Sequence, residues 1–189
     1  MEAQLQALSE IRDFLNQHAI PHMVIGGLAN AVWGRSRATL DADLKVIIGD
    51  RSIADFVQLI STSFVFRVPD PMAFARKTYV LPILASNRIG IDLGLSFLPY
   101  ETEAIDRAIM IDYEGVVFPV CTPEDLIIHK AISERDKDLM DVEGILARQR
   151  GNLDQTYIMA WLRQFADALE RPNLVGRYEA ACQQAGIAT

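Results

Sequence analysis

Residues that bind zinc or form disulfide frameworks are scarce in this sequence. It has two cysteines and three histidines among 189 residues. Neither Cys121 nor Cys182 has a Cys or His neighbour at metal-ligand spacing. This spacing excludes a zinc finger and a disulfide framework, so we expect reduced thiols in a cytoplasmic protein.

Long apolar runs are missing as well. No stretch approaches the roughly 20 apolar residues of a membrane span. The N-terminal segment has the pattern of an amphipathic helix, without the positively charged start and continuous apolar run of a signal peptide. We therefore expect neither membrane association nor secretion.

Positively charged residues are fewer than negatively charged ones. The chain has 18 Lys and Arg against 25 Asp and Glu, which gives a net charge of -7. This balance excludes a broad basic surface for nucleic acid. Half of the residues are hydrophobic, which is typical of a globular protein, and the length fits one compact domain or an α/β unit with a helical appendage.

Helix and strand patterns are mixed up to residue 121, and only helical patterns follow. The sequence predicts an α+β protein, with a mixed β-sheet flanked by helices in a core over 1–121 and a C-terminal helical part over 122–189. We expect this helical part to pack on the core as one compact unit. The predicted strands are 22–26, 41–49, 64–68, 79–84, 89–95 and a hairpin within 108–120, with a chain break at 69–71. Helices are predicted over 5–15, 28–33, 53–60, 126–147 (one long helix or two collinear ones), 156–169 and 174–185.

A glycine pair marks the stretch around which the chain is organised, residues 22–43. Gly26 and Gly27 follow a short apolar strand and precede a helical pattern. Glycine allows close backbone approach, and a helix N-terminus presents free N–H groups that suit phosphate. An ordinary tight turn gives the same pattern, so the pair alone is a weak signal.

Three aspartates follow in strand patterns. Asp41 and Asp43 alternate along one strand, so both carboxylates lie on the same face, about 7 Å apart, and can share a divalent cation. Asp92 lies in an otherwise apolar strand, where a carboxylate calls for compensation by a metal or a positive charge. Two alternatives remain. Asp41 and Asp43 would then be ordinary solvated strand residues, and Asp92 would be a structural residue held by hydrogen bonds.

The order of these motifs resembles the polymerase β-type nucleotidyltransferase superfamily, and its AbiEii-like branch of type IV toxin-antitoxin proteins in particular. The resemblance covers residues 22–146 and rests on the Gly-Gly turn, Arg37-x-Thr39-x-Asp41-x-Asp43, Asp92 between apolar residues, and a late helix with Lys130 and Asp138. Many superfamily members have Gly-Ser where this chain has Gly26-Gly27, so a serine contact to phosphate is missing here.

The resemblance implies the nucleotidyltransferase fold and a Mg²⁺-dependent or Mn²⁺-dependent enzyme. A nucleoside monophosphate would pass from a nucleoside triphosphate to an acceptor hydroxyl, with release of pyrophosphate. The implied metal ligands are Asp41, Asp43 and Asp92. The implied catalytic residues are the same three aspartates and Lys130, and the implied nucleotide-binding residues are Gly26, Gly27, Arg37, Thr39, Lys130 and Asp138.

The late helix supports this assignment only together with the other motifs. On a continuous helix Lys130, Glu134, Lys137, Asp138 and Asp141 fall within one sector of roughly 100°, where they would line the site together. A solvated helix face with ion pairs between successive turns has the same pattern.

Several functions agree with these residues. The first is a nucleotidyltransferase whose acceptor is tRNA, a protein or a small molecule. The resemblance also suggests that such an enzyme acts as a toxin with a cognate antitoxin. The alternative is a catalytically silent nucleotidyltransferase-fold module that binds or regulates through a partner protein. A Mg²⁺-dependent nuclease is disfavoured, because it gives the Gly-Gly turn no role.

Overall fold

The structure, a computed structural model, describes residues 2–35, 41–133 and 135–187. In this part of the chain we find nine helices and seven strands. The helices are α1 (Glu2–Gln17), α2 (Gly26–Trp33), α3 (Ile53–Ile60), α4 (Pro71–Thr78), α5 (Pro99–Asp106), α6 (Pro123–Ile132), α7 (Asp136–Arg148), α8 (Gln155–Ala168) and α9 (Asn173–Ala185). The strands are β1 (His22–Ile25), β2 (Ala42–Val46), β3 (Val65–Phe66), β4 (Val80–Leu84), β5 (Gly90–Leu95), β6 (Ile109–Tyr113) and β7 (Val116–Val120).

The seven strands form one mixed sheet in the order β3-β4-β5-β2-β1-β7-β6. Strand β2 pairs in parallel with β5, and β1 pairs in parallel with β7, whereas the other neighbours are antiparallel. The predicted hairpin is β6 and β7, and it extends one edge of the sheet. The predicted α+β class, with a mixed sheet flanked by helices, is confirmed.

Helix α1 covers part of this sheet. Leu8, Ile11 and Leu15 are fully buried on one side of the helix, as their helical spacing predicts. The helix contacts β2, β5 and β7. Its apolar stripe therefore contributes to the core beneath the central strands.

Strand β2 shows the alternation that its sequence predicts. Ala42, Leu44 and Val46 are buried in the core. Asp43 and Lys45 are partly exposed, because successive side chains of a strand point to opposite faces. Asp41, just before the strand, belongs to the same face as Asp43.

The described residues divide into two compact units. Residues 2–28 and 41–121 form the unit that contains the sheet, and residues 29–35 and 122–187 form a helical unit. Helix α2 begins in the first unit and ends in the second. The predicted packing of the C-terminal helices on the core stays a prediction.

Two helices lie in segments for which the sequence predicted no helix. Asp70 is the N-cap of α4 and its side chain accepts a hydrogen bond from the N–H of Ala73, while Pro71 occupies the first turn. Pro99 likewise stands in the first turn of α5. Proline at these positions begins a helix, since its missing N–H has no partner there in any helix. The interpretation of residues 69–71 as a chain break overlooked this signal.

The stretch over 126–147, predicted as one long helix or two collinear ones, contains two helices. Helix α6 ends at Ile132, and α7 begins at Asp136 after Arg135, its N-cap residue. The one-sector arrangement assumed a continuous helix and is therefore wrong. Lys130 lies on α6, and Asp138 and Asp141 lie on α7.

Candidate functional site

The glycine turn lies directly against one of the predicted acids. Gly26 ends the run of β1 and starts α2 with a positive φ of 66°. A Cβ atom at this position would lie 2.0 Å from Oδ2 of Asp43. Only glycine therefore fits here without displacing the carboxylate. Gly27 follows as the second residue of α2, whose N-terminus carries positive partial charge.

The sheet register brings two acids side by side. Asp43 of β2 is the register partner of Asp92 of β5, and on its other side it pairs with Ile25, the residue before Gly26. Neighbouring strands lie about 4.8 Å apart, and register partners point to the same face of the sheet. The structure therefore brings Gly26, Asp41, Asp43 and Asp92 together on one face of the sheet-containing unit.

An arginine that no sequence pattern indicated lies between two of these acids. Nη1 of Arg67 is 3.4 Å from Oδ2 of Asp41 and 3.4 Å from Oδ1 of Asp92. All three side chains are about one-third exposed. The guanidinium is thus a positive charge shared by two carboxylates that are distant in sequence.

Burial and neighbouring charges act together on Asp92. Burial raises the pKa of its carboxyl above the ordinary value, and the negative charge of Asp41 raises it further, while the Arg67 guanidinium lowers it. The net direction is upward. A raised pKa makes a carboxylate a better proton acceptor than a solvated aspartate.

The donor chemistry of this face fits Mg²⁺ or Mn²⁺. Carboxylate oxygens are preferred ligands, and Mg²⁺ typically takes one or two of them and completes its shell with phosphate oxygens and water. Among the described residues, no group of three or more His, Cys, Asp or Glu side chains is arranged as a metal cluster. Asp41 and Asp92 nevertheless share one cation, Arg67. The residues therefore fit an ion bound together with a triphosphate better than one held in a closed protein cage.

A cavity of about 680 Å³ opens on the sheet-containing unit. Its wall includes Lys45, which continues the face of Asp43 about 7 Å further along β2, and Lys45 forms an ion pair with Glu101. The rings of Tyr79 and Phe97 meet edge to face, with centroids 5.3 Å apart. Both aromatic side chains are about half exposed. The cavity thus combines apolar walls with one neutralised ion pair.

Lys130 lies in a buried charge cluster within the helical unit. Its Nζ is 2.7 Å from Oδ1 of Asp138 and 2.8 Å from Oδ2 of Asp141. The Lys130 side chain is 8% exposed, and those of Asp138 and Asp141 are 0% and 7% exposed. Ser133 and Arg135 also donate to Asp138. Two carboxylates therefore already neutralise the ammonium, and the nucleotide-binding role of Lys130 and Asp138 stays a prediction.

Two further predicted residues, Arg37 and Thr39, lie outside the described residues. Among the helices that the structure describes, none has the length and hydropathy needed to cross a lipid bilayer. The roles predicted for the glycines and the three aspartates stay predictions, although their geometry is now defined.

The seven-stranded mixed sheet flanked by helices has the nucleotidyltransferase fold, as its similarity to solved structures shows. An antigenic nucleotidyltransferase-like protein from Paracoccidioides brasiliensis has a similar structure, with a TM-score of 0.55 and 16% identity over 95% of this chain and 93% of that one.

Two further solved structures are similar as well. The solution structure of the antibiotic-resistance factor ANT(2'')-Ia gives a TM-score of 0.57 and 14% identity over 90% of this chain and 96% of that one. The lincomycin-bound lincosamide antibiotic adenylyltransferase LnuA gives a TM-score of 0.50 and 13% identity over 74% of this chain and 94% of that one. No family model and no curated protein matches the sequence. At these identities the similarity shows the fold alone.

Proposed function

We propose that this protein is a nucleotidyltransferase that uses Mg²⁺ or Mn²⁺. It transfers a nucleoside monophosphate from a nucleoside triphosphate to an acceptor hydroxyl. The observation that carries the proposal is the pairing of Asp43 with Asp92 on adjacent parallel strands, directly beside Gly26. The nucleotidyltransferase fold and Asp41 on the same face add support.

In the proposed reaction the acceptor oxygen attacks the α-phosphorus of the nucleotide. A new P–O bond forms, the bond from that phosphorus to the bridging oxygen breaks, and pyrophosphate leaves. Asp92 takes the hydroxyl proton, and the burial that raises its pKa favours this role. When bound, Mg²⁺ would neutralise phosphate charge and acidify the acceptor hydroxyl. Asp41, Asp43 and Asp92 would hold it.

The triphosphate would bind at the glycine turn. The backbone N–H groups at the start of α2 offer donors, and the absence of a side chain at Gly26 lets phosphate approach. Lys130 and Asp138, with Arg37 and Thr39, belong to the proposal through the sequence resemblance only. The same holds for membership of the AbiEii-like branch and for a toxin role with an antitoxin.

The acceptor class follows from the cavity and the overall charge. A volume of about 680 Å³ lies in the range of small-molecule sites, and its apolar walls with few polar groups are typical of them. A net charge of -7 opposes a polyanion such as tRNA. We therefore favour a small hydroxylated molecule with an apolar ring over tRNA or a protein.

The test is transfer of label from each of the four α-³²P-labelled triphosphates with Mg²⁺. The acceptors are bulk tRNA, the protein itself, and a small-molecule panel that includes lincomycin. Wild type is compared with Asp43→Asn, Asp92→Asn and the control Asp50→Asn, an exposed carboxylate in the same unit. We expect both site variants to lose at least about a hundredfold in rate, while Asp50→Asn stays at the wild-type rate.

Two results would contradict the proposal. Full activity in Asp43→Asn would remove this carboxylate from the chemistry. Tight binding of Mg-ATP in calorimetry without transfer to any acceptor would favour the silent binding module, and pull-down of a partner would then become the next experiment.

A further inference from the structure

Arg67 lies in register with Asp43 and Asp92 across the strands of the sheet. Its N–H donates to the carbonyl of Pro82 at 3.0 Å, which continues the pairing of β3 with β4. Pro82 is the register partner of Asp92, and Asp92 is the partner of Asp43. Register, rather than nearness in sequence, therefore sets Arg67 level with the carboxylates.

The side chain of Arg67 extends across the sheet from this position. It passes β4, where its neighbour is Pro82, and reaches Asp92 on β5 and Asp41 before β2, each at 3.4 Å from Nη1. Strand spacing of about 4.8 Å makes this a span of roughly two strands. Only a long side chain covers that span, and a planar guanidinium suits two carboxylates.

A glycine leaves the space in which this contact is made. A Cβ atom on Gly90 would lie 2.4 Å from Nη1 of Arg67 and 2.3 Å from Oδ1 of Asp41. Any other residue at position 90 would push the guanidinium and the carboxylate apart. The contact between Arg67 and Asp41 therefore depends on a glycine at position 90.

A guanidinium and a divalent cation compete for the same carboxylate oxygens. Two carboxylates on one face repel each other, and a positive charge between them offsets that repulsion. A divalent ion offers twice the charge in a smaller volume and arrives with a triphosphate. Both cations cannot use the same oxygens of Asp41 and Asp92 at once.

We propose that Arg67 is the internal counter-ion of the carboxylate site. It positions Asp41 and Asp92 while the metal is absent, and it releases their oxygens when a divalent cation binds. The inference rests on the proposed function, because that function supplies the cation. Arg67 is a positioning residue, and it acts through the two aspartates.

The test measures Mn²⁺ binding to the purified full chain without nucleotide, by calorimetry and by the loss of the free-ion electron spin resonance signal. The variants are Arg67→Met and the control Arg76→Met, which removes the same charge from an exposed position on α4. We expect Arg67→Met to bind Mn²⁺ about tenfold more tightly than wild type, since two partly exposed ion pairs no longer compete. Arg76→Met should remain within about twofold of wild type, because an exposed charge is screened by salt. Equal or weaker binding by Arg67→Met than by Arg76→Met would overturn the proposal.

Thermal stability separates a counter-ion from an ordinary structural contact. In chelator, Arg67→Met should melt below wild type, because the charge of Arg67 no longer offsets the repulsion between Asp41 and Asp92. Saturating Mn²⁺ should restore its melting temperature to that of Mn²⁺-loaded wild type. A deficit of equal size with and without Mn²⁺ would mean that Arg67 is only a packing element, and would overturn the proposal.

A double variant locates the ion. Arg67→Met combined with Asp43→Asn should lose the gain in affinity if the ion binds at these carboxylates, and retention of the gain would overturn the proposal. Because no step requires transfer, the result is independent of turnover. Tighter Mn²⁺ binding in a chain that transfers nothing would contradict the proposed function and leave the counter-ion role standing.

Discussion

Asp43 and Asp92 stand opposite each other on the parallel strands β2 and β5. Between them in the chain lie α3, β3, α4 and β4. Parallel strands need such a crossover connection, because a tight turn reverses the chain direction and joins only antiparallel strands. This pairing places Asp92 next to Asp43, although the two residues are distant in sequence.

Replacing Gly26 tests the contact between the turn and the acid. Gly26→Ala is expected to abolish transfer, because its Cβ would lie 2.0 Å from Oδ2 of Asp43 at a φ of 66°. Gly49→Ala is the matched control, since Gly49 has a φ of 63° and no atom within 4 Å of the added Cβ. Both variants should lose about 1 kcal/mol in unfolding free energy from the backbone. Gly26→Ala should lose about 1 to 3 kcal/mol more from the clash. Equal losses in chemical denaturation would refute the contact.

Lys130→Met tests the buried charge cluster. The substitution leaves Asp138 and Asp141 buried without their shared ammonium. Breaking one side of a buried ion pair costs about 3 to 5 kcal/mol. Lys137→Met, which removes an exposed lysine from α7, should change the unfolding free energy by less than about 0.5 kcal/mol. Urea titrations of both variants measure the difference, and similar small losses would show that the cluster contributes little to stability.

The same cluster predicts a pH dependence of stability. Burial raises the pKa of Asp138, but the hydrogen bonds from Lys130, Ser133 and Arg135 more than offset it and bring the pKa down from 3.8 to about 2. A depressed folded-state pKa gives stability that is complete above about pH 4 and is lost as the pH falls toward 2. The unfolding free energy of wild type relative to Asp138→Asn should therefore fall by about 2 kcal/mol across that interval. A constant difference between pH 5 and pH 2 would contradict the prediction.

Phe97→Ala tests the cavity as the acceptor site. Phe97 is 52% exposed and its ring meets that of Tyr79. Loss of the ring should raise the KM for a small-molecule acceptor about tenfold, since an aromatic contact and its buried area contribute about 1 to 2 kcal/mol. The KM for the nucleotide should not change. Phe74→Ala is the control, because Phe74 is 37% exposed on α4 and does not line the cavity. A rise in both KM values, or in neither, would rule the cavity out as the acceptor site.

Local patterns predicted much of the sheet. The alternation along β2 assigned Asp43 to the exposed face and Leu44 to the core, because a period of two places alternate residues on opposite faces. The sequence also predicted the β6–β7 hairpin, and Gly115 in its turn has a positive φ. These features depend on a few neighbouring residues.

The start of α4 was missed although a local signal existed. Asp70 followed by Pro71 is a helix start, and α4 begins there. The sequence left open whether one helix or two cover 126–147, because residues 133–135 lie inside a stretch with helical spacing. The apolar pattern alone does not reveal whether a helix continues or restarts.

The sequence by itself determined the acidic composition, the glycine turn and the placement of Asp41 and Asp43 on one strand face, because these depend on residue type and short spacing. Only the tertiary structure decided that Asp92 pairs with Asp43, that Arg67 lies between Asp41 and Asp92, and that Lys130 is enclosed by Asp138 and Asp141. Strand order and register arise from burying whole apolar faces while pairing the backbone across the sheet. That is a property of the entire chain, and no single motif contains it.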